Sequence, residues 1–280
     1  MLVTLKEILA IAEERKIAVG SFNTPNLASL RAILTAAEEL NQPVILMHAQ
    51  IHEEMGLCTM EEVAPIMLAA AKKASVPVCV HLDHGTDVNY VKRGLALGFT
   101  GVMFDGSALP TEENFAKTKE VVALAKATGA SVEAEIGSMG SREGGNAGDM
   151  DNPESIYTDP DAAKRFVDET GIDALACAFG TVHGLYMKEP KLDFARLEKI
   201  DSLVSVPLVM HGGSGVSEED YRRVISLGVA KINYYTYMAK AGAEAINGKT
   251  FGQYHEIVKA ATEAMKADVA KAIRVFSGLK

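Results

Sequence analysis

One unit repeats eight times along the chain: a short run of apolar and β-branched residues, followed by a longer run with helical spacing. The short runs lie at 17–22, 44–48, 76–82, 100–104, 131–136, 174–178, 206–210 and 230–233. Strands that alternate with helices form parallel sheets with right-handed crossovers, and near-continuous apolar runs indicate strands buried on both faces. Eight such strands suffice to close a barrel, so the sequence predicts a (β/α)8 fold, a TIM barrel.

The length of the chain fits a single domain. A barrel of this type takes about 250 residues, the chain has 280, and no linker or change in composition divides it. We therefore expect one domain over 1–280. An amphipathic stretch at 253–276 lies beyond the eighth unit and predicts an extra C-terminal helix, packed either under the barrel or against another subunit.

Composition restricts the class of partner. The net charge is −9, which argues against nucleic acid because phosphate backbones select basic surfaces. No apolar stretch reaches the roughly 18 residues that a membrane span needs, and residues 1–16 lack the apolar segment of a signal peptide. We expect a cytoplasmic protein with a small-molecule substrate and neither a membrane nor a nucleic-acid partner.

Polar residues cluster directly after the predicted strands. The carboxyl ends of barrel strands meet at one mouth, where the active sites of barrel enzymes lie. These residues should therefore converge although they are dispersed in sequence. They are His81-Leu82-Asp83-His84, Asp105-Gly106-Ser107, Glu133 and Glu135, Gly180-Thr181-Val182-His183-Gly184, His211-Gly212-Gly213-Ser214-Gly215, and Asn233.

Three histidines at these ends can hold a cation. Three imidazoles with an open fourth position form a common catalytic zinc site. We assign His84, His183 and His211 to a divalent cation, with zinc the expected ion. Strand alternation places His81 on the same face as Asp83 and His84 just beyond, where the chain leaves the barrel, so His81 receives a supporting role.

The neighbouring carboxylates each allow two roles. Asp83 can move a proton to or from a substrate hydroxyl, or it can orient a histidine ligand. Asp105 and Glu135 can hold a second cation, or they can form salt bridges at the mouth. Of the other histidines, His48 can reach the site, whereas His52 and His255 are expected to face solvent.

The glycine-rich segment after the seventh predicted strand favours phosphate binding. Glycines allow a ligand to approach the backbone closely, and Ser217 with Asp220 resembles a capping box that opens a helix. Exposed amides after strands seven and eight form the phosphate site common in barrels. We therefore expect phosphate to bind at residues 212–214, which are Gly212, Gly213 and Ser214, beside Asn233.

The segment at 137–155 interrupts the repeat. It follows the fifth predicted strand, is rich in Gly, Ser, Asn and Asp, and lacks apolar periodicity. Loops of this length within a compact domain are usually functional lids or disordered segments. Its position at the barrel mouth favours a lid.

Five ordered motifs resemble those of class II fructose- and tagatose-bisphosphate aldolases. They are His-Leu-Asp-His at 81–84, Val-Glu-Ala-Glu at 132–135, Gly-Thr-Val-His-Gly at 180–184, His-Gly-Gly-Ser-Gly at 211–215 and Lys-Ile-Asn at 231–233. The resemblance runs nearly end to end, from 18–23 through the eighth strand. It implies a zinc-dependent lyase of carbohydrate metabolism that reversibly cleaves a phosphorylated ketose to dihydroxyacetone phosphate and an aldehyde, and a homodimer or homotetramer.

The resemblance also implies roles for individual residues. Asp83 matches the proton donor and acceptor at the hydroxyl of the cleaved carbon, and Glu143 matches the base that acts on the ketone half. Asp105 and Glu135 match positions that accept a displaced or second cation. The positions that match the dihydroxyacetone phosphate site are Gly184, Gly212, Ser214, Asn233 and Thr236.

The chain departs from the family pattern around the substrate rather than at the metal. The departures are Ala49 for a usual Ser or Thr, Tyr234 and Tyr235 for small or polar residues, Tyr237 for a carboxylate, and Gly144-Gly145 for an acidic pair. They leave open which ketose is cleaved and whether it carries a second phosphate.

Two other function classes are less compatible with these residues. Metal-dependent barrel hydrolases typically place His-x-His on the first strand, and 17–22 contains no histidine. A non-catalytic sugar-phosphate-binding barrel would need neither Asp83 nor Glu143. We therefore expect retro-aldol chemistry, on a ketose bisphosphate or on a different ketose 1-phosphate.

Overall fold

The computed structural model describes residues 1–137, 157–182, 184 and 190–279, which contain nine parallel strands of one sheet. The strands are β1 (Leu2–Val3), β2 (Val19–Asn23), β3 (Val44–Ala49), β4 (Val78–Gly85), β5 (Gly101–Phe104), β6 (Ser131–Ile136), β7 (Ala174–Cys177), β8 (Leu208–Met210) and β9 (Val229–Tyr234). Strands β2 to β9 pair in chain order, and β9 pairs with β2. This pairing closes the predicted eight-stranded TIM barrel.

Helices surround the barrel. They are α1 (Leu5–Arg15), α2 (Leu27–Glu39), α3 (Gln50–Glu54), α4 (Met60–Lys73), α5 (Val88–Leu97), α6 (Thr111–Thr128), α7 (Pro160–Thr170), α8 (Phe194–Asp201), α9 (Glu218–Ser226), α10 (Thr236–Ile246) and α11 (Tyr254–Phe276). None of the helices in the described ranges is long and apolar enough to cross a membrane.

Local sequence sets where these helices begin and end. Thr59 caps α4: its hydroxyl accepts a hydrogen bond from the Glu62 amide, and the Glu62 carboxylate accepts one from the Thr59 amide at 2.7 Å. Such reciprocal capping satisfies amides that the first helical turn leaves unpaired. At the other end, Gly129 and Gly171 follow α6 and α7 with φ of 77° and 69°, a left-handed conformation that favours glycine.

Helix α1 closes the amino-terminal end of the barrel. One face of the helix, formed by Leu5, Ile8, Leu9 and Ala12, is fully buried. It packs with inward-facing strand residues, among them Ile45. The carboxyl ends of the strands therefore form the open mouth, as the sequence predicts.

Two terminal elements differ from the sequence prediction. The two-residue strand β1, which is too short to produce a periodic pattern, pairs with the start of β4 through Leu2 and Val78. The predicted C-terminal helix is present as α11, but it does not lie under the barrel. It packs in the outer layer against α2 and α10, and the Phe276 carbonyl accepts a hydrogen bond from the Ala18 amide at 3.0 Å.

Removing the Leu9 side chain should destabilise the barrel. Leu9 is fully buried at its closed end, and Leu→Ala substitutions at such positions cost about 3 kcal/mol through lost burial and the cavity left behind. Urea unfolding of Leu9→Ala measures this loss. Glu14→Ala on the exposed face of the same helix is the matched control. Equal unfolding midpoints for the two variants would contradict the role assigned to α1.

Candidate active site

A local irregularity in β4 brings Asp83 and His84 to the same place. In a regular strand, adjacent side chains point to opposite faces. The pairing of β4 with β5 shifts between Leu82 and Gly85, and His84 has a φ of 47°. This left-handed conformation costs a non-glycine residue on the order of 1–3 kcal/mol. As a result, potential ligand atoms of Asp83, His84 and His211 lie within 4.8 Å of one another.

One nitrogen of the His84 ring and one of the His211 ring face each other at the barrel mouth. The Nε2 atom of His84 lies 2.8 Å from Nδ1 of His211. The other nitrogen of each ring lies 2.7 Å from a carboxylate oxygen, Asp105 Oδ2 for His84 and Glu133 Oε1 for His211. When the N–H group of each ring donates a hydrogen bond to the neighbouring carboxylate, the two nitrogens that face each other both carry lone pairs. A carboxylate behind each imidazole is typical of metal-binding histidines, so this pair fits a cation between the rings.

The charges around the rings also favour a cation. Burial lowers the pKa of His84, but the carboxylates of Asp83, Asp105 and Glu135 outweigh it and raise that pKa to about 10. His84, Asp105 and Glu135 form a second cluster whose potential ligand atoms lie within 4.8 Å of one another. The excess of negative charge that holds a proton on His84 equally stabilises a metal cation.

Asp105 is oriented from two sides. Its Oδ1 accepts hydrogen bonds from the amide and hydroxyl of Ser107, at 3.1 and 2.6 Å, while Oδ2 lies against His84. Burial raises the pKa of Asp105, but the hydrogen bond and charge of His84 outweigh it and hold the pKa well below its usual range. Asp105 therefore stays ionised and orients the His84 ring, and its place in the second cluster also fits a second-cation role.

A fully buried ion pair lies below the two histidines. Lys231 Nζ is 2.9 Å from Glu133 Oε2, and neither side chain is exposed. The His81 ring, also buried, lies 3.5 Å from the same carboxylate, and its supporting role stays a prediction. Burial is the main cause that lowers the pKa of His81, to about 3, so this ring is neutral. Sequence reasoning missed the part played by Lys231, although a lysine within a buried strand requires a partner.

Asp83 is held by two amides. Asn23 Nδ2 donates to its Oδ2 at 3.3 Å, and Asn233 Nδ2 donates to its Oδ1 at 3.0 Å. Lys231 in turn donates to Asn233 Oδ1 at 2.6 Å. This last bond fixes the orientation of the Asn233 amide, because only its NH2 group is then left to face Asp83. The carboxylate is thereby positioned beside His84.

The glycine-rich turn lies at the same mouth. Gly212 has a φ of 60°, and an added Cβ would lie 2.4 Å from the Val182 carbonyl oxygen, so a side chain cannot be accommodated there. The Ser214 hydroxyl accepts a hydrogen bond from the Tyr235 amide at 3.1 Å, which ties the turn to the segment after β9. The expected phosphate positions that line one pocket with Asp83 and His84 are Gly184, Gly212, Ser214, Asn233 and Thr236. Gly213 lies within the turn, and its amide donates to the Asn233 carbonyl at 3.2 Å.

Three histidine predictions can be compared with the structure. His48 is turned away from the pocket, with Nε2 3.1 Å from the Tyr90 hydroxyl and 3.6 Å from Glu53. The prediction for His52 is wrong: it is only 4% exposed and packs on the Tyr235 ring. Five residues of α3 are too few to show which face is buried. His255 is exposed, as expected.

Two assigned residues lie outside the described residues. They are His183, the third predicted ligand, and Glu143, the predicted base of the ketone half. The same holds for Gly144-Gly145 and for all of the predicted lid except Gly137. Their roles stay predictions.

Comparison with known proteins identifies the family. The model of the class-II fructose-bisphosphate aldolase family matches residues 3–279. The chain belongs to this family. Its membership confirms the resemblance carried by the five strand-end motifs.

Relatives of this class II aldolase carry different substrate names. A 6-phospho-5-dehydro-2-deoxy-D-gluconate aldolase of Halalkalibacterium halodurans is 42% identical, over 98% of this chain and 96% of its own. A fructose-bisphosphate aldolase of Geobacillus stearothermophilus has the same identity and coverage. The crystal structure of the YdjI aldolase from Escherichia coli K12 is 34% identical, with a TM-score of 0.88 over 99% of this chain and 97% of that one. Overall identity therefore does not select the substrate.

The buried ion pair of this aldolase gives a stability prediction. Lys231→Met would leave the Glu133 carboxylate buried without its cation, which typically costs about 3–5 kcal/mol. The double variant Lys231→Met/Glu133→Gln removes both charges and should be more stable than Lys231→Met alone, because the pair is coupled. Urea unfolding of the single and double variants measures this coupling. Additive losses of stability would contradict it.

Proposed function

We propose that this class II aldolase uses a divalent cation, with zinc the expected ion, to cleave a phosphorylated ketose reversibly into dihydroxyacetone phosphate and an aldehyde. The observation that carries the proposal is the pair of ring nitrogens of His84 and His211, 2.8 Å apart, each ring backed by a carboxylate. Family membership supports the same chemistry.

His84 and His211, together with His183 as predicted from the sequence, would hold the cation. A bound divalent cation would polarise the ketone oxygen and stabilise the negative charge that develops on the ketone half. The two carboxylates behind the rings keep both imidazoles in the tautomer that presents a lone pair. Asp105 and Glu135, with His84, offer the place for a second or displaced cation.

Asp83 would carry the proton that accompanies carbon–carbon bond cleavage. In cleavage it takes the proton of the C4 hydroxyl while the C3–C4 bond breaks, so that the aldehyde carbonyl forms and the bonding electron pair passes to the ketone half. In synthesis it returns that proton to the new hydroxyl. Asn23 and Asn233 occupy one carboxylate oxygen each with a donated hydrogen bond, which aligns the group for proton transfer.

The glycine-rich turn would bind the phosphate of the ketone half. The Ser214 hydroxyl and Thr236, the first residue of α10, would supply neutral donors, and the backbone at Gly212 and Gly213 would let the phosphate approach closely. The amino end of a helix also favours an anion. Glu143 would then remove or return the proton at the ketone-half carbon, a role that rests on the sequence resemblance alone.

Removal of the His211 imidazole should abolish stable metal binding. Purified His211→Ala, which removes one of the two facing nitrogens, should lose its bound metal after dialysis, as measured by atomic absorption. His255→Ala is the control, because that histidine is exposed and does not line the pocket. Retention of one metal ion per chain by His211→Ala would refute this ligand assignment.

Loss of the Asp83 charge should separate metal binding from cleavage. Asp83→Asn keeps the shape of the side chain but removes the base, so it should bind metal as the wild type does while kcat falls about 100-fold or more. Ketose cleavage coupled to detection of dihydroxyacetone phosphate measures kcat, and atomic absorption measures the metal. Near-normal turnover would rule out the acid–base role.

A further inference from the structure

His52 belongs to the same pocket as Asp83 and His84, although its position in a short surface helix does not indicate this. Its ring lies against Tyr235, with centroids 4.8 Å apart and planes at 58°. The ring makes no hydrogen bond to any residue that the structure describes, and its Nδ1 atom is buried without a partner. A buried nitrogen left in this state is unfavourable. The imidazole thus keeps unused hydrogen-bonding capacity at the pocket wall.

Helix α3 holds this ring in a fixed position. Gln50 Oε1 accepts a hydrogen bond from the Thr86 amide at 3.0 Å, just beyond the end of β4. On the other side, Glu53 lies 3.1 Å from the Arg93 guanidinium and accepts a hydrogen bond from the Met60 amide. The helix is therefore tied to both neighbouring segments. A polar group fixed in this way loses little freedom when it binds a ligand.

The order of the strands indicates the direction in which the carbon chain of the substrate extends. Ala49 pairs in register with Asp83, so β3 and α3 lie on the side of Asp83 opposite Asp105 on β5. The candidate phosphate turn follows β8, which β9 and β2 separate from β3 in the barrel. A substrate whose hydroxyl meets Asp83 then extends its remaining carbons toward Ala49 and His52.

On this side of the pocket, the lining residues that the structure describes carry no formal charge. Burial lowers the pKa of His52 and keeps the ring neutral. Among the lining residues that the structure describes, the ionisable side chains other than His52 and the two tyrosines are Asp83 and His84, both at the cation end. A phosphate dianion binds where cationic groups or several amides replace its water. The neutral imidazole of His52, the methyl group of Ala49 and the aromatic ring of Tyr235 instead suit an uncharged, hydroxylated part of a substrate.

We propose that His52, Tyr235 and Ala49 form the subsite for the aldehyde half, and that this subsite takes a neutral polyhydroxylated aldehyde with a hydroxyl hydrogen-bonded to His52. The proposal rests on the proposed aldolase function and narrows its substrate to a ketose 1-phosphate without a second phosphate. Ala49 leaves space for the chain, and Tyr235 covers its apolar face.

Two aldehydes that differ only by a phosphate test the proposal. Condensation with dihydroxyacetone phosphate is measured for D-glyceraldehyde and for D-glyceraldehyde 3-phosphate, with the metal-loaded enzyme. We expect wild-type kcat/KM to be at least about tenfold higher for the neutral aldehyde. A preference for the phosphorylated aldehyde would overturn the proposal.

Substitution of His52 tests the contact itself. His52→Leu should lower kcat/KM for D-glyceraldehyde about tenfold, the typical effect of one lost hydrogen bond. It should leave hydrogen exchange of dihydroxyacetone phosphate in D2O, a half-reaction without the aldehyde, within about twofold of wild type. His52→Gln should recover part of the loss, and His255→Leu, at an exposed position, should match wild type.

The exchange half-reaction distinguishes a failure of the proposed aldolase function from a failure of the proposed His52 contact. If wild-type enzyme neither exchanges nor condenses, the proposed aldolase function fails, and the subsite fails with it. If wild type is active but His52→Leu condenses D-glyceraldehyde normally, the His52 contact is wrong. Equal losses of exchange and condensation in His52→Leu would also overturn it, because they indicate a general disturbance of the site.

Discussion

The Glu133 carboxylate is buried inside the barrel, and the geometry of the mouth depends on how its charge is satisfied. One oxygen lies 2.9 Å from Nζ of Lys231, and the other lies 2.7 Å from Nε2 of His211. Lys231 also donates to Asn233, whose amide then has only its NH2 group to offer Asp83. A single buried ion pair thus orients one candidate metal ligand and the candidate acid–base group together. Such networks are rigid when every member is satisfied.

Stability and chemistry occupy opposite ends of this barrel. At the amino-terminal end, α1 packs four fully buried apolar side chains against the strands. At the carboxyl end, β4 departs from regular pairing and His84 adopts a strained backbone conformation. The well-packed end supplies the rigidity that maintains this strain. Barrel enzymes commonly divide their residues in this way.

The repeat predicts most of the fold because eight apolar runs and their intervening helices are long enough to show periodicity. The strand-end position of His84 and His211 likewise follows from the sequence. Features that are set by a single backbone angle or by a few residues cannot be predicted from the sequence in this way. The left-handed conformation of His84 and the burial of His52 in five-residue α3 leave no periodic signal. The function of Lys231 depends on a partner on another strand, which sequence spacing alone does not locate.

Anomalous diffraction at the zinc absorption edge tests the central claim most directly. Crystals of enzyme loaded with zinc and shown to be active should give their strongest anomalous peak between Nε2 of His84 and Nδ1 of His211. The two nitrogens should also lie farther apart than 2.8 Å, because a cation then separates them. Active enzyme with the two rings still in direct contact and no peak between them would contradict the account.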